Sequence, residues 1–189
     1  MARMPPRDRQ ISAEIGLPFL KIGTNDVGAF FKRRERRSTG PFLLLSVTSG
    51  LALDTALERS DGSHPHLWGT HGQPHQLWNF EPSGHKEEVR IVSVGNNLVL
   101  DGQTLQAADG HQHPRMRGRS DLDVPWQRWR IVPAPDRRAH RIINAGTGLA
   151  LDCPWEAGVR TRPVLWEPNE GENQHWLLAM PFVSSEDNA

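Results

Sequence analysis

Tyrosine is missing from this chain, and cysteine occurs once, at Cys153. A single thiol rules out an intrachain disulfide. No apolar run approaches the roughly 20 residues that a bilayer-spanning helix needs. The basic start, Met1 to Gln10, is not followed by the apolar region of a secretory signal, because Gly16-Leu17-Pro18-Phe19-Leu20 is short and Lys21 ends it. These absences together favour a reducing, cytoplasmic setting, and a dedicated export machine would leave the same signature. Catalytic motifs are missing as well. There is no Gly-x-Ser-x-Gly elbow, no phosphate loop and no His-Glu-x-x-His. Nothing singles out a carboxylate pair for glycoside hydrolysis, so the chain reads as non-enzymatic and free of cofactors.

Net charge is also lacking, but the zero is a cancellation. Residues 1–40 hold nine Lys/Arg against four Asp/Glu, and the rest hold 13 against 18. Two segments with different roles are expected. An acidic larger part does not suit nucleic acid, since phosphate binding wants a basic face.

What is present is repetition. Ser46-Val47-Thr48-Ser49-Gly50-Leu51-Ala52-Leu53-Asp54 aligns without gaps with Ser93–Asp101 and Asn144–Asp152. Each copy runs from an apolar stretch through a Gly/Asn/Ser turn into Leu-x-Leu-Asp, which is a β-hairpin signature. Pro65, Pro114 and Pro163 follow at intervals of 49 residues. Each copy closes on Gln-x-Trp, at Gln76-Leu77-Trp78, Gln127-Arg128-Trp129 and Gln174-His175-Trp176. The middle copy carries two extra residues on each side of its proline.

After each Gln-x-Trp the apolar period is two, in Trp78/Phe80, Trp129/Ile131 and Trp176/Leu178, which implies strands with one buried face. The expectation is an all-β fold of about twelve strands in three repeats, near 42–82, 89–133 and 140–180. Three repeats are too few to close a propeller, and a β-trefoil closes better. The domain is expected over 41–183, with a tail at 184–189. The three Gln-x-Trp tryptophans are assigned to the core and their glutamines to buried backbone groups.

The Leu-x-Leu-Asp turns, the pairs Leu67-Trp68 and Leu165-Trp166, and the threefold Gln-x-Trp resemble the ricin B-type lectins, also grouped as carbohydrate-binding module family 13. The resemblance covers about residues 42–182. It implies shallow sugar pockets in which an Asp accepts sugar hydroxyls, an aromatic residue stacks on the sugar face, an Asn adds a polar contact and the Gln supports the Asp. A carboxylate takes two hydroxyls with charge-assisted strength, and an indole offers a flat surface to a patch of C–H bonds.

Carried over, the third repeat supplies Asp152, Val164, Trp166, Asn173 and Gln174. The first supplies Asp54, His66, Trp68, His75 and Gln76, with His75 where the family has Asn. The second keeps Asp101 and Gln127, but Arg117 replaces the aromatic and Trp126 the Asn, so it is expected to be structural. The bland alternatives are turn-capping aspartates and core tryptophans. The implied function is a non-catalytic, carbohydrate-binding lectin module, with galactose-type sugars among the expected glycans. The alternative is a trefoil that has lost sugar binding and contacts a protein through its N-terminal segment.

His64, His66, His71 and His75 cluster, with His111 and His113 later. No cysteine or carboxylate completes a recognised metal-ligand spacing, so they read as polar turn residues, and no metal site is expected. In residues 1–40, Val27, Phe30 and Phe31 make an apolar stripe on a helix expected over 26–37, followed by a basic run. Docking on the trefoil, an acidic protein, an anionic membrane surface or nucleic acid all suit such a helix. Ser38-Thr39-Gly40-Pro41 reads as a linker.

Overall fold

The computed structural model describes residues 39–181 apart from 57–59, 104–107 and 136–137, and the helix expected over 26–37 lies outside the described residues. Four strands form per repeat. The first repeat has β1 (Thr39–Ser46), β2 (Ala52–Asp54), β3 (His66–Trp68) and β4 (Leu77–Pro82). The second has β5 (Val89–Ser93), β6 (Val99–Asp101), β7 (Arg115–Arg117) and β8 (Trp129–Pro133). The third has β9 (His140–Asn144), β10 (Ala150–Asp152), β11 (Val164–Trp166) and β12 (Trp176–Ala179). Among the described residues the only helical pieces are 3-10 turns at Pro74–Gln76, Pro125–Gln127 and Glu172–Gln174. None of the helices there is long and apolar enough to cross a membrane.

The first and last strands of each repeat close a ring. β1 pairs with β4, β4 with β5, β5 with β8, β8 with β9, β9 with β12 and β12 with β1, all antiparallel. Closure leaves no free edge in the ring, which removes the usual route to edge-to-edge association. The inner pairs β2–β3, β6–β7 and β10–β11 are three hairpins hung on β1, β5 and β9. This is a β-trefoil. The turns before β2, β6 and β10 place Gly50, Asn97 and Gly148 at φ 68°, 60° and 74°. That left-handed conformation is why the aligned position holds only glycine or asparagine.

Trp78, Trp129 and Trp176 are wholly buried at the centre. Each indole N–H donates to the carbonyl of the second Leu in Leu-x-Leu-Asp: Leu53 at 3.0 Å, Leu100 at 2.8 Å and Leu151 at 2.9 Å. The repeat motif therefore encodes one contact three times, tying the barrel to its hairpins. A buried indole contributes a large apolar area only if its N–H finds an acceptor, and the hairpin carbonyl provides one.

Adjacent repeats lock in a cycle. Leu67 N–H donates to Thr161, Met116 N–H to Ser63 and Leu165 N–H to Gln112. Each long hairpin loop thereby lies against the next repeat, and the site depends on this.

The sequence expectation differs from the fold at one end. Thr39–Pro41 is already part of β1, with Thr39 opposite Phe80, so it is not linker. A register shift between Thr39 and Phe42 absorbs the Gly-Pro step. Gly and Pro read as loop residues in a sequence even where a bulge accommodates them in a strand.

Candidate functional site

Each 3-10 turn delivers a glutamine to the base of a hairpin. Gln76, Gln127 and Gln174 are buried, and each side-chain amide donates to the Asp of its own repeat: Asp54 at 2.9 Å, Asp101 at 3.1 Å and Asp152 at 3.0 Å. The same amide nitrogens donate to Gly69, Gly118 and Glu167 carbonyls, while the glutamine oxygens accept from His71, Ser120 and Asn169 N–H groups. Gln76 and Gln174 thus hold the aspartates from behind and present no surface to a ligand.

Hairpin register then sorts the remaining residues. On β10 and β11, Leu151 faces Leu165 toward the core, while Asp152 pairs with Val164 and Ala150 with Trp166 on the other face. β2 and β3 repeat the arrangement with Asp54 opposite His66 and Ala52 opposite Trp68. β6 and β7 place Asp101 opposite Arg115 and Val99 opposite Arg117. Arg117 therefore stands where the other repeats have tryptophan.

The third repeat opens into a cleft of about 740 Å³. Asp152, Val164, Trp166 and Asn173 all line it. Trp166 is 52% exposed, an unusual state for so large an apolar side chain, while Asp152 is almost fully buried at the floor. Asn173 Nδ2 donates to Asp152 Oδ2 at 2.7 Å, beside the Gln174 contact to the same oxygen. Burial raises the Asp152 carboxyl above the ordinary range, against the pull of the Gln174 and Asn173 hydrogen bonds.

The other oxygen distinguishes the repeats. Asp54 Oδ1 accepts from Ala56 N–H, and Asp101 Oδ1 accepts from Gln103 N–H at 2.7 Å. Two residues after Asp152 stands Pro154, which has no N–H to donate. Asp152 Oδ1 has no hydrogen-bond partner among the described residues, and it belongs to a residue that lines the cleft. One proline thus leaves a carboxylate oxygen available to a ligand.

The platforms differ through their neighbours. A loop from the preceding repeat reaches each one. Arg160 places its guanidinium carbon 5.5 Å from the Trp68 ring centre, a cation–π contact over that indole. Asp61 binds Arg117 at 3.0 Å. At Trp166 the neighbour is His111, with ring centres 6.2 Å apart and tilted by 55°. In the first repeat, His71 and His75 also crowd Asp54, with Nε2 atoms 3.4 and 3.8 Å from Oδ2, and His66 stands edge-on to Trp68 at 5.8 Å.

Several cleft residues escaped the sequence reading. Trp155, 67% exposed, lines the cleft three residues after Asp152. A tryptophan outside every repeat motif was the available signal. Asp109, His111 and His113 come from the second repeat, on the connection lengthened by its insertion. No spacing within one repeat reports that crossing.

Residues 30–113 match the family model described as ricin-type β-trefoil lectin domain-like. The matched stretch covers the first repeat and the start of the second. The trefoil resembles the designed threefold symmetric protein ThreeFoil, with 21% identity over 76% of this chain and 100% of that one and a TM-score of 0.67. It also resembles the ricin B-like lectin of Macrolepiota procera in complex with lactose, with 19% identity, 77% and 96% of the two chains covered and a TM-score of 0.60. A third similar structure is the C-half of the earthworm R-type lectin in complex with GalNAc, with 18% identity, 74% and 98% covered and a TM-score of 0.57. No curated protein sequence matches the chain.

Proposed function

We propose that the third repeat binds the ring of a galactose-type sugar and that the chain acts as a non-catalytic carbohydrate-binding module. The observation that carries this reading is the pairing of an exposed indole, Trp166, with a buried carboxylate, Asp152, whose Oδ1 has no hydrogen-bond partner among the described residues. The indole stacks on the C–H face of the sugar, and Asp152 Oδ1 accepts ring hydroxyls. Asn173, already oriented by its bond to Asp152, contributes its side-chain oxygen. Lactose and GalNAc in the two similar lectins support the sugar class.

The first repeat is a poorer sugar site on this reading, because Arg160 covers the Trp68 face and two imidazoles surround Asp54. A single shallow pocket gives weak binding, so useful avidity requires clustered glycans or several copies of the chain. Titration calorimetry with galactose, GalNAc and lactose tests this, with Trp166→Ala and Asp152→Asn as controls. Binding by the wild type and loss in both variants is the expected result. If no glycan on an array binds, and a protein partner is retained through residues 1–40 regardless of sugar, the interaction-module reading replaces it.

A further inference from the structure

The histidines of the first repeat were expected to lack a carboxylate at metal-binding spacing, but the hairpin brings one in. Asp54 lies 17 and 21 residues before His71 and His75, and its Oδ2 meets both rings. We propose that Asp54, His71 and His75 form a site for one divalent transition-metal ion of the zinc type, separate from the third-repeat cleft.

The geometry suits such an ion. Zinc binds imidazole nitrogen at about 2.0–2.1 Å and carboxylate oxygen at about 2.0–2.2 Å, which puts tetrahedral donors about 3.3–3.5 Å apart. Asp54 Oδ2 stands 3.4 Å from His71 Nε2 and 3.8 Å from His75 Nε2, and one donor atom from each of the three residues lies within 4.8 Å of the others. Closing on an ion draws the donors together through movement of the partly exposed His71 and His75 rings on the protein rim. Water completes the coordination on the open side.

The supports are built in. Asp54 Oδ1 is held by Ala56 N–H, so Oδ2 is the ligating oxygen. Gln76 donates to that Oδ2 and, through its own oxygen, grips the N–H groups of His71 and Gly72. One buried side chain therefore positions two of the three ligands, as outer-sphere partners of metal sites do. The third is fixed through its backbone, because the His75 carbonyl accepts from Thr55 N–H at 2.9 Å and from Thr55 Oγ1 at 3.3 Å.

Comparison of repeats sharpens the point. The N–H of His71 binds the Gln76 oxygen as Asn169 N–H binds that of Gln174, and His75 precedes Gln76 as Asn173 precedes Gln174. The first repeat thus carries two imidazoles where the third carries two amides, which makes a metal-ligand set out of a sugar-type frame. Without metal, Gln73 N–H donates to His71 Nδ1 at 3.1 Å, leaving the ring proton on Nε2 toward Asp54. Metal loading shifts that proton to Nδ1 and turns the exposed Gln73 amide to water. Two imidazoles and one carboxylate favour zinc, nickel or copper over magnesium or calcium, which prefer all-oxygen shells.

The test uses the full chain, stripped with chelator and carrying no polyhistidine tag, titrated with zinc chloride by equilibrium dialysis and calorimetry. One equivalent is expected to bind, unaffected by millimolar magnesium. The double variant His71→Asn, His75→Asn installs the residue type of the third repeat, so a folded protein is expected, checked by circular dichroism. Its zinc affinity should fall by at least about tenfold. Tetrahedral visible absorption of bound cobalt(II) in the wild type and its loss in Asp54→Asn give a second readout. No zinc uptake by the wild type, or one equivalent retained by the double variant at unchanged affinity, overturns the proposal.

Discussion

Replacing Pro154 with alanine would test how the third repeat keeps its carboxylate available. In the other repeats the amide two residues past the aspartate occupies Oδ1, from Ala56 in one case and from Gln103, at 2.7 Å, in the other. Pro154→Ala restores that donor beside Asp152. A hydroxyl donating to a carboxylate contributes about 1.5–3 kcal/mol. Competition from a local amide should remove about 1 kcal/mol of this, a roughly fivefold weaker dissociation constant. Stability should hardly move. Losing proline rigidity costs about 0.4–1 kcal/mol through the unfolded chain. The new hydrogen bond returns about 0.5–1.5 kcal/mol. The melting temperature is therefore expected to shift by only about 2–4 °C in either direction. Calorimetry with lactose on the wild type, Pro154→Ala and Asp152→Asn, with melting curves for each, makes the measurement. Unchanged affinity in Pro154→Ala alongside lost binding in Asp152→Asn would refute the reasoning.

Other outcomes follow from the same geometry. Trp129→Phe leaves the Leu100 carbonyl without its buried donor and opens a gap, so chemical denaturation should report a loss of about 2–5 kcal/mol. Gln127→Ala removes bonds to Asp101, Gly118 and Ser120 in the second repeat and should cost about 2–3 kcal/mol while leaving lactose affinity unchanged. Because burial holds the Asp152 pKa above its unfolded value, sugar affinity should begin to fall at a higher pH than an ordinary aspartate would predict. The same upward shift means that Asp152 adds stability below its unfolded pKa and loses it as pH rises through the folded pKa. Asp152→Asn should flatten that slope in melting curves taken from pH 3 to 7. Gly146→Ala places a methyl group 2.8 Å from the Trp126 backbone nitrogen and should destabilise the junction between the second and third repeats, read as a lower melting temperature.

The sequence by itself determined the repeat architecture. A period-two pattern after each Gln-x-Trp and a turn before each Leu-x-Leu-Asp are local signals, and the side-chain alternation of strands makes them readable without a structure. The grouping of Asp152 with Val164 and Trp166 came from the resemblance to the ricin B-type lectins, and the β10–β11 register places them on one face. The absent donor at Pro154 was equally present in the sequence, but it acquires meaning only beside the amides of Ala56 and Gln103 that bind the other aspartates.

Tertiary structure decided how the three similar hairpins differ in use. Arg160 lies over Trp68, Asp61 binds Arg117 and His111 flanks Trp166, each from a loop of the preceding repeat. Spacing along the chain does not report such contacts, because they arise from cyclic closure of the ring and not from neighbours in sequence. The carboxylate that joins the His71–His75 pair comes from β2 of the same repeat, 17 and 21 residues earlier, a separation that matches no metal-ligand spacing and becomes a contact only when the hairpin folds.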